Sequence, residues 1–97
     1  MEQKINLALQ ILPKSSTANT YDIIDKAIEV IQNSGLPYIV CPFETVLEGT
    51  YDEVMKVVKD AQDICFANGA TEIIANIKIQ RAINQDVYID DKLKKYR

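Results

Sequence analysis

Two stretches alternate residue by residue, Ile5 to Leu12 near one end and Thr71 to Gln80 near the other, and they enclose two stretches with a helical repeat. Few folds accept that arrangement. In INLALQIL, Ile5, Leu7, Leu9 and Ile11 point one way while Asn6, Ala8, Gln10 and Leu12 point the other, which is the pattern of a strand with one apolar and one mixed face. Pro13 then removes a backbone donor, and Lys14 to Thr20 (KSSTANT) is a loop in which Asn19 or Thr20 can cap a helix. Ile24, Ala27, Ile28 and Ile31 follow the i, i+3, i+4, i+7 rule, with Ile23 and Val30 widening the stripe. Asn33-Ser34-Gly35 and Pro37 stop it, so the first helix is predicted over about Tyr21 to Ser34. A second helix opens on the capping box Thr50-Tyr51-Asp52-Glu53. It buries Val54, Val57, Val58, Ala61 and Cys65, and ends at Asn68-Gly69.

Between the helices, Tyr38 to Cys41 and Phe43 to Glu48 read as two short strands joined by a tight connection or bulge at Pro42 and Phe43. In the closing strand, Ile73, Ala75, Ile77 and Ile79 share one face, and Ile74, Asn76, Lys78 and Gln80 share the other. The order strand, helix, strand, strand, helix, strand is two βαβ halves. Right-handed crossovers then place both helices on one face of a four-stranded antiparallel sheet, a ferredoxin-like βαββαβ sandwich of the α+β class. The expectation is that the first and last strands lie side by side in the middle of the sheet. Ile89, Leu93 and Tyr96 have helical spacing, so a short C-terminal helix around Asp90 to Tyr96 should cover a sheet edge or a neighbouring copy.

Length and composition narrow the function. With 97 residues, 47% of them apolar, the chain fits one domain spanning residues 1–97, and a core this small favours association into a homodimer or homotetramer. The net charge of −3, with basic residues gathered only at Lys92, Lys94, Lys95 and Arg97 without interleaved aromatics, argues against nucleic acid. No apolar run reaches the length of a membrane span, and Met1-Glu2-Gln3-Lys4 lacks a secretory pattern, so a cytoplasmic protein without membrane insertion is expected.

The chemistry is narrowed further. Cys41 and Cys65 are too far apart for a CxxC motif and sit in apolar segments, which suits packing and no metal. The absence of histidine removes Ser-His-Asp and Cys-His machinery, so no catalytic residue and no cofactor are expected. An acylphosphatase-type enzyme on this fold would need a phosphate-cradling loop with arginine, and KSSTANT has neither arginine nor glycine. RNA binding on the sheet would need exposed aromatics where Ala8, Gln10, Asn76 and Lys78 stand.

The sheet face opposite the helices is therefore the place to look. It must be covered by another protein or used for a ligand, and a pocket at a subunit interface satisfies both. The candidate residues are the amides Gln10 and Asn76, the carboxylates Glu44 and Glu48 with the hydroxyl of Thr45, the aromatics Tyr38 and Phe43, and Lys78.

These segments resemble the small thiamine-binding protein family, relatives of the YkoF-like superfamily. The likeness spans nearly the whole chain. It rests on PYIVCPFETVLEG from Pro37 to Gly49, on Leu12-Pro13 before a Ser/Thr-rich loop, and on Ser34-Gly35-Leu36. Asp52-Glu53-Val54, Gly69 and Ile77-Lys78-Ile79 through Arg81 extend it. Glu44 stands where the family usually has glycine, and Gln80 and Ala82 replace a more charged run around Arg81. The resemblance implies non-catalytic binding of thiamine or its hydroxymethylpyrimidine part near a sheet-to-sheet subunit interface. The amides would match the donor beside an acceptor on the aminopyrimidine, and carboxylates and aromatic faces would attract the thiazolium cation. The competing expectation is an oligomeric structural or regulatory interaction module with no vitamin ligand.

Overall fold

The computed structural model describes residues 2–97. Eight segments follow one another: β1 (Lys4–Lys14), α1 (Thr20–Gln32), β2 (Tyr38–Val40), β3 (Thr45–Thr50), α2 (Tyr51–Ala67), β4 (Glu72–Gln80), α3 (Ile89–Leu93) and a closing 3-10 turn (Lys94–Tyr96). The four strands form one antiparallel sheet in the order β2-β3-β1-β4, a ferredoxin-like α+β fold.

Local chemistry sets the boundaries. Asn19 caps α1, its side chain accepting from the Tyr21 amide at 2.9 Å. At α2 the capping box is complete: Glu53 accepts from the Thr50 amide at 2.9 Å and Thr50 Oγ1 from the Glu53 amide at 3.3 Å. The Thr50 amide, with help from its hydroxyl, holds the Glu53 carboxyl below the usual carboxylate range. Past α2 the chain turns at Gly69, with φ +105, close enough to the loop that an added Cβ would sit 3.1 Å from Ala18. Pro13, expected to end β1, instead lies within it opposite Ile73. It is tolerated because β3 pairs with β1 only as far as Leu9, so beyond that point one edge of β1 is unpaired and needs no amide hydrogen there.

The core lies between the sheet and the helices. Leu7, Leu47, Val54, Ala61 and Cys65 have no exposed surface, and Ile5, Leu9, Ile23, Ile31 and Val58 are nearly as deep. Each large apolar side chain so buried contributes about 1.5–3 kcal/mol. Burial also raises the Cys65 thiol pKa, in keeping with a packing role.

Two expectations are corrected. β1 and β4 are neighbours, but β4 lies at the sheet edge and the middle strands are β1 and β3. Each helix connects two strands with one other strand between them, so β3 occupies the gap between β1 and β2, and β1 the gap between β3 and β4. The consequence is visible in β4, where the helix-side Ile77 and Ile79 remain 38% and 41% exposed. The C-terminal segment, expected to cover a sheet edge or a neighbouring copy, turns at Asn84, with φ 58, and lies over the open face of its own sheet.

Candidate functional site

Strand register lays out the open face as a grid. In one row Glu48, Asn6 and Gln80 stand side by side across β3, β1 and β4; in the next, Ile39, Val46, Ala8 and Lys78 span all four strands. The following row pairs Gln10 with Asn76, and the Cys41 amide bonds to the Glu44 carbonyl at 2.9 Å across the hairpin, placing both of those side chains on the open face. The last pair is Leu12 and Ile74.

The C-terminal segment closes the first row. The Asn6 amide donates to the Val87 carbonyl at 3.0 Å and its oxygen accepts from Lys92 Nζ at 2.6 Å. Glu48 accepts from the Ile89 amide at 2.6 Å. Asp86 takes the Lys4 amide and the Tyr88 hydroxyl, each at 2.8 Å, and the Lys4 bond, then the Tyr88 bond, lowers the Asp86 pKa. Asn6 and Glu48 are thereby buried although both stand on the open face.

Against this strap lies a hollow of about 350 Å3. Its floor is Ala8 and Val46, small enough to leave room, with Ile39 and Cys41 on the β2 side. Its walls are Lys92 and Leu93 of the strap at one end and Glu44 with Lys78 at the other. Lys78 Nζ reaches across β1 to Glu44 at 3.3 Å, over the space left by Ala8. Beside it, Asn76 Nδ2 donates to Gln10 Oε1 at 3.1 Å. That bond uses the Asn76 nitrogen and the Gln10 oxygen and leaves the Asn76 oxygen, an acceptor, and the Gln10 nitrogen, a donor, without a partner among the described residues.

Of the eight expected residues, Glu44 and Lys78 line the hollow itself, while Gln10 and Asn76 stand in the next row of the same face, outside its lining. The other four stand elsewhere. Thr45 pairs with Leu9 and Tyr38 with Leu47, so both belong to the helix-facing side, where Thr45 is buried. Phe43 is at the hairpin tip, 82% exposed, and borders a second groove that it shares with Gln10, Glu44 and Thr45 and with Tyr21 and Ile28 of α1. Glu48 lies beneath the strap. Ile39, Cys41 and Val46 were not anticipated; their parity follows once the turn is placed at Cys41 to Glu44. Leu93 carried only a helical spacing and Lys92 only its place in a basic run, neither of which says where a tail docks. Among the described residues no group of three or more His, Cys, Asp or Glu could hold a metal ion, and no helix is long and apolar enough to cross a membrane.

A four-stranded open sheet with helices on one face and a hollow on the other defines a small ferredoxin-like α+β protein. The family model described as thiamine-binding protein matches residues 7–97, and the chain belongs to that family. It is 39% identical over 92 residues to a UPF0045 protein of Clostridium perfringens, covering 95% of this chain and 96% of the relative. Among solved structures it is similar to a domain of unknown function, DUF77, from Bacillus cereus, with TM-score 0.95, 43% identity and coverage of 99% of this chain and 92% of the other. It is also similar to a Thermotoga maritima protein provisionally described as acting in thiamine biosynthesis or salvage, with TM-score 0.86, 28% identity and coverage of 97% and 99%.

Proposed function

We propose that residues 1–97 act as one domain that binds thiamine or its hydroxymethylpyrimidine moiety, without catalysis, in the hollow on the open face. The observation that carries this reading is the bonded Gln10 and Asn76 pair next to Glu44. The unpartnered acceptor and donor complement the amino group and ring nitrogen of an aminopyrimidine, and Glu44 lies where a linked cation would sit. The ring would lie over Ala8 and Val46, two small side chains of the hollow's lining. A volume of about 350 Å3 is at the small end of ligand sites and suits one or two rings. Binding a thiazolium requires Glu44 to exchange Lys78 for the ligand; an exposed ion pair is worth no more than about 1 kcal/mol, so the exchange costs little.

A second copy completes the proposal. Leu12 and Ile74, 43% and 46% exposed, form a bare apolar end of the open face beyond the hollow. Stacking two sheets there would cover that end and close the hollow at a subunit interface, as expected of a homodimer or homotetramer. Cytoplasmic residence is consistent with two cysteines that are unbridged.

The test is the thermal midpoint with and without thiamine and hydroxymethylpyrimidine. At about a hundred times its dissociation constant a ligand adds about 2.7 kcal/mol, a shift of many degrees at this size. A saturable shift that Asn76→Ala or Gln10→Ala diminishes supports the reading. No shift with either compound at millimolar concentration removes it and leaves the interaction module, for which the bare Leu12 and Ile74 speak.

A further inference from the structure

We infer that the strap end of the hollow is an anion subsite built on Lys92, and that the hollow prefers a ligand carrying a phosphate ester on the arm remote from its pyrimidine. The inference rests on the thiamine reading of the hollow and narrows it to one chemical class. Of the eleven lysines and arginines, every one but Lys92 has a carboxylate within 4.0 Å or stands over an aromatic ring, among the described residues. The Lys92 ammonium instead meets the neutral Asn6 Oδ1, at 2.6 Å. That bond uses one of its three protons and neutralises none of its charge. The acids nearest to it in the strap and the sheet have other partners: Glu48 takes the Ile89 amide at 2.6 Å, Asp90 the Arg97 guanidinium at 2.9 Å, and Asp91 lies 3.8 Å from Lys94. Gln80, opposite Asn6 in the register, lines the hollow at this end and adds a neutral amide donor.

The two lysines of the hollow are therefore not equivalent. Lys78, at the far end, already has Glu44 at 3.3 Å, whereas Lys92 has charge to offer. Strand geometry sets which ligand reaches it. The Gln10 row lies four residues along β1 from Asn6, about 13 Å at 3.3 Å per residue. Two linked rings and a two-carbon arm bridge a separation of that order. A ligand anchored by its pyrimidine at Gln10 and Asn76, and laid over Ala8 and Val46, brings the group on its far arm to Lys92. A hydroxyl there exchanges one neutral contact for another, but a phosphate accepts charge-assisted hydrogen bonds from the ammonium. A phosphate carried directly on the hydroxymethyl group of the pyrimidine stops short, above Ala8.

Calorimetric titration of the full chain at low salt tests this with two pairs of compounds: thiamine and its monophosphate, and hydroxymethylpyrimidine and its phosphate. Within each pair the rings are the same, so the ratio of affinities isolates the phosphate from whatever the amides and Glu44 contribute. Thiamine monophosphate is expected to bind about fivefold tighter than thiamine, an advantage that shrinks as salt is added, and the pyrimidine phosphate to gain nothing over the pyrimidine. Lys92→Gln keeps an amide donor towards Asn6 and should abolish the advantage while thiamine affinity and the thermal midpoint change little. Lys92→Arg should preserve it. Thiamine binding with no advantage for the monophosphate overturns this inference and leaves the binding reading standing, whereas no binding by any of the four compounds removes both. An advantage that survives Lys92→Gln, or is as large for the pyrimidine phosphate, also overturns it, because the anion is then held elsewhere.

Discussion

The two ends of the open face are made by the same strands and carry the same kinds of side chain, yet they behave oppositely. At one end Asn6 and Glu48 are buried beneath the strap, and their polar atoms are spent on Val87, Ile89 and Lys92. At the other, Gln10 and Asn76 bond to each other and keep an acceptor and a donor without partners among the described residues. An amide and a carboxylate on a sheet are thus structural or available according to what the rest of the chain lays over them. The strap also decides where the hollow is, because its Lys92 and Leu93 form one wall.

The largest expected effect breaks the covered end. Asn6→Ala leaves the buried Val87 carbonyl and the Lys92 ammonium without their partner, and a loss of about 2 kcal/mol or more is expected. At this chain length that lowers the midpoint by roughly 10 °C. Asn76→Ala removes one exposed bond and should stay within about 0.5 kcal/mol of the wild type. Equal destabilisation by the two substitutions in thermal denaturation would erase the distinction between the ends.

Ligand titration should order the same pair in reverse. Asn76→Ala or Gln10→Ala should weaken hydroxymethylpyrimidine binding up to about tenfold with the fold intact, the worth of a neutral hydrogen bond. Lys78→Met sharpens the point further, because it releases Glu44 from its ion pair. Thiamine affinity is then expected to rise about two- to fivefold, and to fall more steeply with salt than in the wild type, while affinity for the uncharged pyrimidine is unchanged. A parallel gain for both compounds in calorimetry would show that Lys78 acts by blocking space and not by competing for charge.

The sequence carries most of this architecture because its signals are local. The alternation of β1 and β4, the stripes of both helices, the Thr50 to Glu53 capping box and the Asn-Gly stops each concern neighbours along the chain, and all appear in the structure. What was illegible depends on contacts between distant segments. Alternation shows that β4 has two faces but not that it has a bare edge. Nothing near Asn6 signals that Lys92, 86 residues away, will be its partner. The hairpin is intermediate: Pro42 and Phe43 marked the turn, but Thr45 and Tyr38 could be assigned a face only once the Cys41 to Glu44 bond fixed the parity. Of the candidate site, the four residues at the available end, Gln10, Glu44, Asn76 and Lys78, were within reach and the strap was not.

The smallest expected effect concerns how the strap is latched to β1. The Asp86 carboxylate accepts from the Lys4 amide and the Tyr88 hydroxyl, which lowers its pKa in the folded chain. A lowered carboxylate contributes stability that is present above its unfolded value, about 3.9, and is lost as the pH falls through the folded value. The Tyr88 pKa is raised, chiefly by its bond to Asp86, so its share is present below about 10 and lost as the pH rises through the folded value. The latch therefore holds between these limits and loosens on both sides. Asp86→Asn should reduce the slope of midpoint against pH in both flanks, whereas Tyr88→Phe should remove the alkaline flank and leave the acid flank shallower, since the Lys4 amide still lowers Asp86. Both flanks fall at the covered end, so neither substitution should change the pH dependence of hydroxymethylpyrimidine binding at Gln10 and Asn76 near neutrality. A change there would mean that the strap and the available end are coupled across the hollow that lies between them.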